Sequence, residues 1–300
     1  MTHWQLSVPA STSNLGPGFD QLGLCLSLWL DVRCQPSEGQ LTVEAEVEGW
    51  PSASDDLFRR ALEAAAKAPL SGWRVELSSE IPIGRGFGST GAAVAAGLLM
   101  GRALDGDPDP DPRSLLAPGI ALEGHPDNVT ASLLGGLTTC VPIDGPHPPA
   151  LEHRVHPSIG FAAAWPAEPL PTARARAALP EQVPFADAVE NARRLPLLLA
   201  GLAQGDPDLL RLGAVDHLHE RYRLPLLPGA ADALDAARES GAWIANISGA
   251  GSGLVAVCPL PDRDRVAAAM ADRLEHATGA ATARALDVVR DRPRVVQAKP

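Results

Sequence analysis

Lysine is almost missing from this chain of 300 residues: it occurs only at Lys67 and Lys299, and the other basic residues are arginine. Basic residues as a whole are also scarce, and the formal net charge is −11. That balance disfavours nucleic acid or an anionic membrane as the main partner, because both need a basic surface. It leaves room for a small anion held by a local cluster of donors. The arginine-, alanine- and proline-rich composition reads as the mark of a GC-rich genome. Cysteine pairs are absent as well. Cys25, Cys34, Cys140 and Cys258 are scattered, with no C-x-x-C, so neither a zinc knuckle nor a redox dithiol is supported. Buried free thiols are expected instead. No run reaches the ~18 apolar residues of a membrane span. The start, "MTHWQLSVPAS", lacks the basic and apolar regions of a signal peptide. A soluble cytoplasmic protein is expected.

At 45% hydrophobic residues, the chain can bury a large core. Residues 4–8 alternate weakly and predict a strand. "PASTSNLGPGFD" predicts a loop, broken by Pro9, Gly16, Pro17 and Gly18. Residues 22–32 predict a buried strand and "LTVEAEV" (41–47) an alternating one. A helix over 56–68, capped by Asp55 or Ser54, precedes the strand "WRVELSSEIP". A glycine turn then opens a helix running to Leu104. Beyond a loop rich in proline and aspartate come a helix to about Glu123, the turn "GHPDN", a short helix and the strand "GGLTTCVPI". "DGPHPPALEH" is the candidate boundary between domains at 1–150 and 151–300. The second half predicts a strand at 159–165 and helices at 185–204, 207–219 and 230–240. Pro196 should kink or split the first of these. "AWIANISGAGSGLVAVC" reads as strand, glycine loop, strand, and a helix at 263–278 and a strand at 281–289 follow. Interleaved strands and helices in both halves predict two α+β domains.

The stretch "IPIGRGFGSTGAAVAAGLLMGRAL" (81–104) raises the functional question. Gly86, Gly88 and Gly91 fit G-x-G-x-x-G. A dinucleotide fold, however, needs a buried strand directly before the turn and an acidic residue at the end of a second strand. Here the strand alternates, Pro82 and Gly84 intervene, and Asp105 follows a helix. A Walker loop needs Gly-Lys-Ser/Thr, and Ala92 stands where lysine belongs. G-x-S-x-G fails at Phe87. What remains is a helix N-terminus whose bare N–H groups face an anion, with Ser89 and Thr90 adding hydroxyls.

This stretch resembles the central motif of the GHMP kinases, small-molecule kinases with a glycine- and serine-rich ATP loop. "VPASTSNLGPGFDQLGL" (8–24) and "ISGAGSGLVAV" (247–257) resemble the family's N- and C-terminal motifs. "SNLGPGFD", "LEGHPDNV" (122–129), "TARARAALP" (172–180) and "HERYRLPLLPG" (219–229) are most similar to the homoserine kinases within it. The resemblance implies a two-domain α+β fold, with a ribosomal protein S5 domain 2-like N-terminal domain and a ferredoxin-like C-terminal one. It implies ATP-dependent phosphorylation of the L-homoserine hydroxyl to O-phospho-L-homoserine, in threonine biosynthesis. The alternatives are a related kinase of another small alcohol and a catalytically silent nucleotide-binding regulator on the same fold. Members often form dimers, so a homodimer is carried as an expectation.

The resemblance also implies site residues. Pro82, Ile83, Gly84, Arg85, Gly86, Phe87, Gly88, Ser89, Thr90 and Gly91 would hold the ATP phosphates. Thr90, or Ser89, and Glu123 would hold Mg²⁺. Asp20 would bind the substrate ammonium, with Asn14 adding hydrogen bonds. Arg176 and Arg223 would bind its carboxylate, a task suited to the guanidinium fork. Asn128 stands where related kinases carry an aspartate. An amide cannot accept the hydroxyl proton, so direct attack on the γ-phosphorus is implied, with Asn128 orienting the hydroxyl. Asp127 is read as structural and His125 as packing, and His217 and His219 are placed on a helix where they do not share a metal. Three departures from the family pattern stand out: "GSTGA" in the central motif, Ser252 and Gly253 after Gly-Ala-Gly, and Asp55-Asp56-Leu57 where the family often has an asparagine near the base.

Overall fold

The structure is a computed structural model that describes residues 2–52, 55–143 and 145–298. Ser54 and Lys299 lie outside the described residues. The elements are β1 (His3–Asn14), β2 (Gly18–Pro36), β3 (Thr42–Glu46), α1 (Leu57–Ala65), β4 (Trp73–Ser79), α2 (Ser89–Leu104), α3 (Leu116–Glu123), α4 (Asp127–Leu134), β5 (Leu137–Cys140) and β6 (Ala150–His153). They continue with β7 (Ile159–Pro166), α5 (Thr172–Ala177), α6 (Phe185–Gln204), α7 (Pro207–Gly213), α8 (Glu220–Arg223), α9 (Ala230–Glu239), β8 (Ile244–Ile247), β9 (Leu254–Pro259), α10 (Arg263–Thr278), β10 (Ala281–Leu286) and β11 (Val296–Ala298).

One sheet runs β11-β1-β2-β4-β3, with β5 on β2 and β6 on β5. Its pairs are antiparallel except β3–β4, which is parallel. A second, antiparallel sheet runs β10-β7-β9-β8. Both the short β6 and the C-terminal β11 pair into the first sheet, so that sheet draws strands from both sides of residue 150. The second sheet is covered on both faces. Phe161, Ala163, Val255 and Val257 face the core shared with the first sheet, while Ala162, Ala164, Leu254 and Ala256 face α9 and α10. Burial on both faces is why these strands read as unbroken apolar runs.

Helix α2 carries no polar stripe because it is buried nearly all round. It crosses α1 at backbone contact: a Cβ on Gly97 would lie 2.3 Å from the Phe58 carbonyl oxygen. The cap of α1 is Asp56, not Asp55 or Ser54, and its carboxylate accepts from the N–H groups of Phe58 (2.9 Å) and Arg59 (3.3 Å). We expect Asp56→Ala to cost about 1 kcal/mol. This would appear as a lower urea midpoint with an unchanged denaturant slope.

Three local expectations give way to tertiary structure. "PASTSNLGPGFD" is not a loop. β1 continues to Asn14, turns over three residues and returns as β2 from Gly18, because the β1–β2 ladder satisfies this backbone. Helix α6 is not split at Pro196 but continues from Phe185 to Gln204, with α7 packed against it; a Cβ on Gly213 would sit 2.3 Å from the Leu198 nitrogen. The helix expected over 207–219 stops at Gly213. There the Asp216 carboxylate takes the N–H groups of Leu218, His219 and Glu220 and starts α8 instead.

Candidate active site

The N-terminus of α2 has Gly88 as its cap, in the left-handed conformation (φ 68°), with no side chain bonded to the first-turn N–H groups. Those donors and the helix dipole are therefore free for an anion. The turn is held from three directions. A Cβ on Gly88 would lie 2.2 Å from Ser11 Oγ in β1 and 2.9 Å from Asn128 Oδ1 in α4. A Cβ on Gly86 would lie 1.9 Å from the Ser248 carbonyl oxygen in the C-terminal glycine loop. The Ser248 hydroxyl is 2.7 Å from the Gly86 carbonyl oxygen and 2.9 Å from Thr12 Oγ1. Three glycine-rich segments far apart in the chain thus meet at one point.

Beside this turn, Thr90 donates its hydroxyl to Glu123 Oε1 (2.7 Å). The Glu123 side chain is 1% exposed, and its second oxygen, Oε2, is buried with no hydrogen-bond partner. Burial pushes this carboxyl up to about 7, partly offset by His125 and Thr90. An orphaned buried oxygen next to a hydroxyl at an anion-binding turn has the donor chemistry of a hard divalent cation site. His125, read from sequence as packing, lies between two carboxylates: Nδ1 is 3.0 Å from Asp127 Oδ1 and Nε2 is 3.7 Å from Glu123 Oε1. Burial opposes charge on both members of the His125–Asp127 pair. Their mutual contact nevertheless raises the imidazole and lowers the carboxyl from their ordinary values.

Asn128 is buried, with its amide orientation set by its neighbours. Oδ1 accepts from Ser11 Oγ (2.9 Å), and Nδ2 faces Ser13 Oγ and Asp127 Oδ1, each at 3.3 Å. On the opposite wall, Asp20 and Arg176 form a bidentate pair at 2.9 and 2.7 Å, both about one-third exposed. Asp20 has a positive φ of 55°, and its N–H donates to Asn14 Oδ1 (3.1 Å). Asn14 Nδ2 donates in turn to the Gly249 carbonyl (2.8 Å). Arg223 is 2% exposed, and among the described residues no carboxylate lies in ion-pair reach of it. Burial, then the neighbouring Arg176, lowers its pKa.

Asn14, Asp20, Thr90, Asn128, Arg176 and Arg223 line one cavity of about 180 Å³, together with Gly84, Gly86, Gly88 and Ser89. A larger cleft of about 810 Å³ lies alongside and shares Ile83 and Gly84 with it. Pro82 and Arg85 line this cleft and not the smaller cavity. The Arg85 guanidinium donates to the carbonyls of Ile83 and Ala167. Phe87 is fully buried, edge-on to Trp165, so only its backbone belongs to the turn. Gly91 packs on Asn128. Asp56 is engaged as the α1 cap, and Ser252 donates to the Glu168 carbonyl (2.8 Å). From sequence, Ser13 and Thr172 carry no reading, Asp127 reads as structural and His125 as packing; all four line the cavity. Thr172 was within reach, since it stands four residues before Arg176 on α5 and so shares its face.

The profiles of the GHMP kinases N terminal domain and the GHMP kinases C terminal domain match residues 56–136 and 198–276. A homoserine kinase of Moorella thermoacetica is 39% identical, over 84% of this chain and 86% of its own. The chain belongs to the homoserine kinases of the GHMP kinase family. A Prochlorococcus marinus homoserine kinase is also 39% identical, over 88% of this chain and 86% of its own. The crystal structure of homoserine kinase from Cytophaga hutchinsonii superposes with a TM-score of 0.88 at 25% identity, covering 99% of this chain and 98% of that one. The α+β two-domain fold is therefore that of the GHMP kinases, and the cavity described above lies against the glycine turn at the head of α2.

Proposed function

We propose that this homoserine kinase transfers the γ-phosphoryl group of ATP to the hydroxyl of L-homoserine in the cavity between Asp20, Arg223 and the N-terminus of α2. The observation that carries the reading is that Asp20, Arg176 and Arg223 line the same cavity as Asn128 and the N-terminal turn of α2, the second carboxylate there, Asp127, being engaged by His125. A zwitterionic amino acid needs those charges, and its side-chain hydroxyl would then point at the turn. Asp20 takes the ammonium and Arg176 the carboxylate, each exchanging its present partner for the substrate. Arg223 already lacks a carboxylate in ion-pair reach among the described residues. The adjoining cleft has room for the nucleoside, and the free N–H groups of α2 hold its phosphates.

Thr90 and Glu123 fit Mg²⁺. No group of three or more His, Cys, Asp or Glu side chains that could hold a metal occurs among the described residues, so the remaining ligands would be phosphate and water. When bound, the metal supplies positive charge to the transferring phosphoryl oxygens. The rest is positioning by the chain. Asn128 carries no basic atom, and its amide is already oriented by Ser11 and Ser13. The neighbouring Asp127 carboxylate is engaged by His125 and the Asn128 N–H. A loose transition state needs little base assistance, so alignment and charge carry the rate.

A coupled assay of ADP release should show ATP consumption that depends on L-homoserine. ADP release unchanged by homoserine would reject the reading. Asn128→Ala should lower kcat about tenfold to a hundredfold while leaving the KM for ATP unchanged; a weaker ATP KM at full kcat would remove Asn128 from the hydroxyl.

A further inference from the structure

His219 is fully buried and does not line the cavity, yet it contacts the parts that hold the substrate end. Its Nε2 lies 3.0 Å from the Gly16 carbonyl oxygen, in the turn between β1 and β2. A carbonyl can only accept, so Nε2 carries the hydrogen. Its Nδ1 lies 3.2 Å from Arg223 Nη1, a group that can only donate. The two contacts together require the neutral imidazole with a bare Nδ1. Burial supports that state by pushing the ring down to about 4, against the opposing pull of the Asp216 carboxylate. The imidazole face stacks on Phe19 (5.2 Å between centroids), and Arg223 lies over the same ring at 5.2 Å, with Arg176 at 6.0 Å. Helix α8, which carries Arg223, is pinned at its start by Asp216. It is also pinned by Glu220, whose carboxylate accepts from the Ile247 N–H (2.8 Å).

We infer that His219 is a positioning residue: its neutral Nδ1 and the Phe19 ring hold the Arg223 guanidinium toward the cavity without neutralising its charge. An acidic residue at this place would hold Arg223 equally well but would cancel the charge the substrate carboxylate needs. A neutral acceptor fixes direction and leaves the charge unspent. The inference rests on the substrate reading above, and wild-type turnover of homoserine tests that reading separately.

The test is a set of variants assayed for KM and kcat with homoserine and with ATP. His219→Leu removes both ring contacts, His219→Asn keeps an acceptor where Nδ1 stands, and His219→Gln keeps a donor where Nε2 stands. His219→Leu should raise the homoserine KM about tenfold, with the ATP KM unchanged and the loss concentrated in KM. His219→Asn should recover most of that loss, and His219→Gln little of it. In an Arg223→Leu background, adding His219→Leu should change the homoserine KM less than about twofold, because the residue through which it acts is gone. Additive losses in the double variant, equal losses for ATP and homoserine, or better recovery by His219→Gln than by His219→Asn would each overturn the assignment. Because His219→Asn keeps a polar side chain of similar reach, the comparison survives even if the leucine variant folds poorly.

Discussion

Glu123→Gln should lower kcat about a hundredfold or more, while the ligand-free protein becomes more stable at neutral pH. Both effects come from the same atoms. The Glu123 carboxylate is buried, one oxygen accepts from Thr90, and the other has no partner among the described residues. In the proposed site that second oxygen would be a ligand of the divalent cation, and an amide is a much poorer one for a hard metal. Without the cation, the charge is a liability. The carboxyl moves from an ordinary 4.5 up to about 7 on folding, so the folded chain holds a proton that the unfolded chain releases. A raised acid contributes stability that is fully present below about pH 4.5 and is lost as pH rises through about 7. Glutamine has no proton to lose. The melting temperatures of the two proteins should therefore be similar near pH 4.5 and diverge toward pH 7.5, with the variant higher. An inactive variant that is also less stable at pH 7.5 would mean a damaged fold instead of a missing ligand. A variant with full kcat would remove Glu123 from the metal site.

Arg223→Leu should raise the KM for L-homoserine about a hundredfold, an effect of the size seen when one partner of a buried charge pair is truncated. Arg223 is the more consequential of the two arginines because its environment differs. Arg176 is about one-third exposed and paired with Asp20, whose contact raises its pKa. Arg223 is buried, and burial lowers its pKa. Its bonds go to the neutral acceptors Gly249 O and His219 Nδ1. Asp20, Asp216 and Asp127 act on it only from beyond ion-pair distance, so an incoming carboxylate would meet a desolvated cation with no direct acidic partner among the described residues, where a charge-assisted hydrogen bond is strongest. The control is a substrate analogue with a hydroxyl and an amine but no carboxylate. Wild type and variant should use it equally poorly, and the ATP KM should not move. An equal loss on the analogue, or an unchanged homoserine KM, would show that Arg223 does not face the carboxylate.

The regular elements were largely legible because each is specified by adjacent residues. Helix α6 and helix α10 begin and end at the residues their patterns indicate, and the alternation of "LTVEAEV" marks the half-exposed strand β3. The misreadings fall where a distant partner overrides local chemistry. Proline and glycine in "PASTSNLGPGFD" signal a loop, yet the partner strand β2 draws residues 9–14 into the sheet. A single helix was expected across 207–219 because nothing in that window shows that Asp216 will cap a second one. His125 reads as a lone histidine until the turn folds and sets it between Glu123 and Asp127.

By itself the sequence determined the glycine turn at the head of a buried helix, the missing lysine that excludes a Walker loop, and the family to which the ordered motifs belong. All of these are properties of short windows or of their order along the chain. Only the tertiary structure decided that Asp20 meets Arg176, that one Glu123 oxygen is left without a partner, and that Arg223 rests on a neutral histidine instead of an acid. Those pairings join residues up to 156 positions apart. The four-residue spacing of His219 and Arg223 is local, but the burial that keeps the ring neutral and the meeting of Asp20 with Arg176 depend on which side chains lose water together when the two sheets and their helices close.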